Sequence, residues 1–201
     1  MAPDDQSDLF GPAGELAADA PAGFRYWPEV ITPAEEAALV AALEAQPFAP
    51  FDFHGYLANR RVVSFGLRYD YGKRAVETAA PMPAFLLQLR AKVAALAGQA
   101  PEAFSQALVN EYRPGAGIGW HRDKPQFGLV AGVSLLSPCV LRLRRRVGAK
   151  WERASLPLAP RSAYLLSGAA RRDWEHSISP GERLRYSITL RTLTELRPTR
   201  R

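Results

Sequence analysis

The chain has 201 residues, 47% of them hydrophobic, enough to bury a substantial core in a single domain. No apolar run approaches the roughly 18–20 residues of a membrane-crossing helix, and acids rather than a basic segment follow Met1, so a soluble, cytoplasmic protein that needs no membrane is expected. The formal charge of +6 hides an asymmetry: residues 1–50 hold nine acids and one base, residues 51–201 eleven acids and twenty-five bases, −8 against +14. A body so basic attracts polyanions, of which nucleic acid is the commonest large one.

Residues 1–22 are rich in Ala, Pro, Gly and Asp without periodicity, the composition of a flexible acidic leader. A domain is expected over 23–195, followed by a short basic tail, 196–201. In "ITPAEEAALVAALEAQP", Thr32 is placed to cap a helix, with Pro33 at its first position and acids in its first turn. Residues 51–74, "FDFHGYLANRRVVSFGLRYDYGKR", mix aromatics with arginines and suit a β-ribbon or a long loop at a cleft. A second helix is predicted in "PAFLLQLRAKVAALAG", where Phe85, Leu86, Leu89, Val93 and Leu96 share a stripe and Gly98 is the stop.

From residue 106 onward, short runs of β-branched and aromatic residues alternate with Gly, Pro and Ser: "ALVNEYR", "FGLVAGVSLL", "CVLRLRRR", "AYLLSG" and "RYSITLRTL". Helices first and strands after, without a βαβ rhythm, predict an α+β domain with helices on one face of a double-sheet barrel. Cys139 stands alone, so no internal disulfide forms, and its apolar neighbours suggest a buried structural thiol. The dense tract "LRLRRRVGAK", with Arg142, Arg144, Arg145 and Arg146, fits either a solvated strand face or a contact surface, and beside an acidic leader it reads as the latter.

His121 and Asp123 are two residues apart, so in an extended segment both point to one face and can converge on an ion. Besides His121 the chain has His54, in the aromatic stretch, and His176, which is the natural third ligand. Two histidines and a carboxylate make the facial set that binds Fe(II) and leaves positions open. Zinc fits less well, with no second cysteine and no His-Glu-x-x-His helix. Arg185 and Arg191 are six residues apart, an even spacing that puts both on one strand face with Ser187 and Thr189; a shift of register would turn both arginines to solvent. Inward arginines require an anion, and 2-oxoglutarate fits, its keto-acid end on iron and its distal carboxylate in an arginine fork.

These residues resemble the AlkB-like Fe(II)- and 2-oxoglutarate-dependent dioxygenases in Asn110-x-Tyr112, His121-x-Asp123, His176, and Arg185 with "YSITL" and Arg191. The resemblance runs from about residue 24 to 193. It implies a jelly-roll (cupin-like) double-stranded β-helix, iron on His121, Asp123 and His176, and 2-oxoglutarate held by Arg185 with Asn110 and Tyr112, with Arg191 near its C1 carboxylate. The implied reaction consumes O2 and demethylates N-alkylated bases of DNA or RNA, releasing formaldehyde, succinate and CO2. Residues 51–74 then stand in the place of the family's nucleotide-recognition lid, where Arg61, Phe65, Tyr69 and Tyr71 are expected to contact substrate, together with Tyr56, Arg60 and Lys73. Trp120 and Trp174 are expected to be wall or core residues, and the protein to act as a monomer. The alternatives are a dioxygenase acting on a protein side chain and a noncatalytic cupin-like module that binds nucleic acid.

Overall fold

The structure, a computed structural model, describes residues 20–53 and 56–194, leaving aside the side chains of 52–58. The expected leader up to residue 19, the basic tail, His54 and the Tyr56 ring therefore lie outside the described residues. In chain order the elements are β1 (Phe24–Trp27), α1 (Pro33–Glu44), β2 (Ala49–Phe53), β3 (Tyr56–Phe65), β4 (Leu67–Asp70), β5 (Ala75–Thr78), α2 (Ala84–Ala97), β6 (Phe104–Tyr112) and β7 (Ile118–His121). There follow β8 (Phe127–Leu135), β9 (Cys139–Val147), β10 (Lys150–Leu158), β11 (Ala163–Leu166), the one-turn α3 (Gly168–Arg172), β12 (Glu175–Ile178) and β13 (Arg185–Leu193).

Both predicted helices form for the reasons their sequences give. The Thr32 side chain accepts from the Glu35 amide while the Glu35 carboxylate accepts from the Thr32 amide at 2.8 Å, a reciprocal capping box that satisfies two otherwise orphaned donors. Helix α2 buries Leu86, Leu89 and Val93 and ends at Gly98, whose φ of 67° is the left-handed conformation that glycine adopts without penalty.

The strands build a seven-stranded sheet in the order β1-β11-β8-β13-β6-β3-β2 and a four-stranded sheet β10-β9-β12-β7, both antiparallel, with β4-β5 as a separate ribbon. The period of two sorts the large sheet's residues into two layers. Tyr186, Ile188 and Leu190 of β13 pack with Val109 of β6, Val133 of β8 and the helices' Leu43 and Leu86. The opposite face of the same sheet, with Leu141 and Leu143 of β9, Tyr164 of β11 and Trp174, forms the core between the sheets. Helices on one face of a two-sheet jelly roll is the architecture the sequence predicts.

The aromatic and basic stretch resolves into β2 and β3, which extend the large sheet through β3–β6 pairing, and into β4. Strand β10 is unanticipated because "KWERASLPL" carries charges and a proline. Its buried positions nevertheless alternate, Ala154, Leu156 and Leu158, and as an edge strand it tolerates Pro157. The fold also begins slightly before residue 23, since the Ala22 carbonyl accepts from the Ala170 amide at 2.9 Å. Cys139 is half-buried rather than buried, at the start of β9, and burial pushes its thiol up, away from reactivity. Among the described residues no helix is long and apolar enough to cross a membrane.

Candidate active site

Strands β7 and β12 pair so that His121 faces His176 directly, their ring centroids 4.2 Å apart and their planes 58° from each other. Asp123 follows β7 and brings its Oδ2 to 3.6 Å from His176 Nε2. His121 Nδ1 lies 2.9 Å from the Gly119 carbonyl, a bond that assigns the proton to Nδ1 and leaves Nε2 with a free lone pair. Burial, reinforced by the neighbouring His121, depresses His176 to about 3, and burial also lowers His121, so both rings are neutral at physiological pH. Burial alone would raise the Asp123 carboxyl, but Arg191, His176 and His121 override it and hold the group well below the usual carboxylate range.

Arg191 donates to Asp123 Oδ1 from Nη2 at 2.6 Å and from Nε at 2.8 Å, and its Nη1 reaches Gln106 Oε1 at 3.0 Å. Among the described residues no three His, Cys, Asp or Glu side chains are already closed around a metal position. The donor set itself is right for a ferrous ion: two neutral imidazoles and an ionised carboxylate meet at one wall of an open cavity of about 270 Å³.

Asn110 of β6 and Ser187, Thr189 and Arg191 of β13 line that cavity, the last three at the even spacing of one strand face. Arg185, only 4% exposed, opens instead on a neighbouring cavity of about 220 Å³, and Tyr112 and Ile178 form the wall common to both. Its Nε donates to Ser134 Oγ at 3.0 Å and its guanidinium lies 5.2 Å from the Tyr112 ring, but Nη1 and Nη2 are buried without a hydrogen-bond partner among the described residues. Two parallel donors lacking an acceptor fit a carboxylate, which is the test that 2-oxoglutarate has to pass here. Asn110 Oδ1 accepts from Arg60 Nε at 3.3 Å, and burial raises the Tyr112 phenol.

Of the expected substrate residues, Tyr69 and Tyr71 line the cavity, in edge contact 5.0 Å apart, and Lys124 stands 5.1 and 4.7 Å from their rings. Arg61 and Phe65, expected at the substrate, do not line it. On β3 the even positions Arg60, Val62 and Ser64 face the cavity, so the odd positions face the helices. Phe65 is 5% exposed within the helix-side core, and Arg61 binds Glu111 Oε2 and the Phe48 carbonyl, each at 2.8 Å. Lys73 pairs with Glu77 at the exposed ribbon. Trp174 is a core residue, whereas Trp120 is half-buried on the outer side of its sheet.

Several contributors escape sequence reasoning. Gln106 ties Arg191 to the Leu67 carbonyl, and Arg171 is buried on the carbonyls of Lys124, Phe127 and Gly128, fixing the segment after Asp123. Lys124 alone carried a signal, its place next to the His-x-Asp pair. Arg171 was one arginine of a pair with nothing local to mark it.

A two-sheet jelly roll with a His-x-Asp…His set and an orphaned inward arginine defines a metal-dependent oxygenase that uses a dicarboxylate. In agreement, the family model of the 2OG-Fe(II) oxygenase superfamily matches residues 23–197, so the chain belongs to that superfamily, as an AlkB-like member. Membership implies Fe(II), 2-oxoglutarate and O2 as cofactor and cosubstrates. The chain is 31% identical over 175 residues to the "Alkylated DNA repair protein ALKBH8 homolog" of Arabidopsis thaliana, a match covering 75% of this chain and 49% of that protein. It is 34% identical over 122 residues to the "Alpha-ketoglutarate-dependent dioxygenase alkB homolog 7, mitochondrial" of Bos taurus, covering 55% and 54%. The chain thus spans about half the length of these curated relatives. The solved structure of OsALKBH1 superposes with a TM-score of 0.68 over 89% of this chain and 99% of that one, at 12% identity, a likeness of fold.

Proposed function

We propose that the protein is an oxidative demethylase of N-alkylated bases in DNA or RNA. The observation that carries this reading is the lining of the cavity that holds the two histidines: Phe51, Tyr69 and Tyr71 give π faces, and Arg60 and Lys124 give cations, one over Phe51 at 4.0 Å and the other over both tyrosines. A flat base bearing phosphates needs that combination, whereas an aliphatic protein side chain needs neither rings nor paired cations. The name of the Arabidopsis relative, an alkylated DNA repair protein, agrees with it.

In this reading His121, Asp123 and His176 hold the metal, and Arg185, with Tyr112 and Asn110 beside it, receives the distal carboxylate of 2-oxoglutarate. When bound, the ferrous centre with O2 and 2-oxoglutarate supplies the oxidation of a carbon–hydrogen bond. The chain's own residues do the rest. Arg191 fixes the Asp123 carboxylate in its ionised form, the Gly119 carbonyl sets the His121 tautomer, and the aromatic wall orients the base.

The test is incubation of the pure protein with Fe(II), ascorbate and 2-oxoglutarate on N-methylated single- and double-stranded DNA and on RNA. The expected result is formaldehyde together with unmodified base. Succinate formation without product on any of these substrates would overturn the demethylase reading.

A further inference from the structure

The arginine tract of β9 is not used by the active site, yet its alternate residues are built into an ordered surface. Arg142, Arg144 and Arg146 point outward from the four-stranded sheet. The register places Trp151 of β10 opposite Arg146, Arg153 opposite Arg144, and Glu175 of β12 on Arg144's other side. Arg144 lies 4.3 Å from the Trp120 ring and 4.4 Å from the Trp151 ring, while Arg142 is 5.3 Å from Trp120 and Arg146 6.0 Å from Trp151. Rings and guanidinium groups therefore alternate across the sheet in the order Arg146, Trp151, Arg144, Trp120, Arg142, and Trp151 remains 37% exposed at the outer end. Among the described residues of this face the one carboxylate is Glu175, which holds Arg144 at 2.7 Å.

The inner end of this row enters a groove of about 570 Å³ that runs to His121. Trp120 and Arg142 belong to both. Among the described residues four cations line the groove, Arg60, Arg122, Lys124 and Arg142, and no carboxylate does. Arg142 Nε is buried there without a hydrogen-bond partner among the described residues.

We propose that this face and groove form one docking track for a single-stranded polynucleotide, whose bases stack on the Trp151–Arg144–Trp120 series and whose phosphates meet Arg142, Arg146 and Arg153. The proposal rests on the demethylase reading for what enters the cavity, and extends it to the strand outside. Alternating rings and cations match alternating bases and phosphates, and stacking of this kind takes any base but only an unpaired one. A duplex hides its base faces, and an acidic peptide would use the charges without the tryptophans.

The experiment measures binding of an unmodified 12-nucleotide DNA or RNA strand by fluorescence anisotropy for the wild type, Trp151→Ala, Trp151→Phe and Arg153→Gln. Neither position lies in the catalytic cavity, so turnover of a methylated trinucleotide and the melting temperature serve as controls. Trp151→Ala is expected to weaken binding about tenfold, as one lost base–aromatic stack does, with Trp151→Phe restoring most of it. The slope of log affinity against log salt should fall by about 0.7 in Arg153→Gln, the value for one phosphate contact of a single strand. Unchanged binding in Trp151→Ala and Arg153→Gln, with demethylation intact, would overturn the track alone. Equal displacement by polyglutamate with no effect of Trp151→Ala would identify an acidic-peptide surface and likewise overturn it. Trp151-dependent strand binding by a protein that demethylates nothing would uphold the track and remove the demethylase reading.

Discussion

Arg185 is almost wholly buried, with Nε bonded to Ser134 and both Nη atoms without a hydrogen-bond partner among the described residues. A desolvated guanidinium in that state is unfavourable, and the missing half of its hydrogen bonding has the shape of a carboxylate. Replacing it by methionine, of similar length but uncharged, removes the unsatisfied group, so the cosubstrate-free protein should melt no lower than the wild type. The same change should abolish the rise in melting temperature on adding Fe(II) and 2-oxoglutarate anaerobically and raise the KM for 2-oxoglutarate more than tenfold, since breaking a buried charge pair costs about 2–5 kcal/mol. A marked loss of stability with KM unchanged would make Arg185 a structural residue. Arg191 differs, because its partners Asp123 and Gln106 are already in place.

At the scale of elements, strand β3 separates two adjacent arginines by the period of two. Arg60 lines the cavity and lies over Phe51, while Arg61 fastens β3 to Glu111 and to the Phe48 carbonyl. Arg61→Ala leaves the buried Glu111 carboxylate with Arg113 as its one ion-pair partner among the described residues, so it should lower the melting temperature while leaving the KM values alone. Arg60→Ala should leave the melting temperature near that of the wild type and raise the KM for a methylated oligonucleotide several-fold. Thermal melts and steady-state kinetics on the two variants decide, and a reversal of the two phenotypes would sink the assignment of faces. This pair also shows what the sequence could and could not reveal. Even spacing was enough to put Arg185 and Arg191 on one face of β13, and a two-residue step was enough to bring His121 and Asp123 to one place. In β3 the composition announced a binding segment, but an aromatic residue serves core and ligand equally well, and only the pairing of β3 with β6 decides that Phe65 packs inward and Arg60 does not. Gln106 and Arg171 act through contacts 85 and 44 residues away in the chain, which no local pattern encodes.

The whole molecule is layered, with the helices on the outer face of the large sheet and the active site between the two sheets, and the two cores have separate consequences. Leu86 of α2 is fully buried on the helix side, and Leu141 of β9 is fully buried while also lining the cavity. Truncating either to alanine opens a cavity and should cost about 2–5 kcal/mol. For a domain of this size that corresponds to a fall in melting temperature of roughly 2–4 °C for each kcal/mol. The two variants should then part in function. A void behind the large sheet leaves the face carrying Asn110, Ser187 and Thr189 supported by its own ladders to β6 and β8, so Leu86→Ala should keep the KM for 2-oxoglutarate. A void at Leu141 removes packing from its register neighbour Ile178 across β9–β12, two residues along β12 from His176, and so loosens His176 relative to His121 and Asp123. Leu141→Ala should therefore weaken Fe(II) binding about 10- to 100-fold, read as the metal concentration for half-maximal turnover. Equal iron affinity in both variants would show that the sheets respond as a single core, and the layered account would fail.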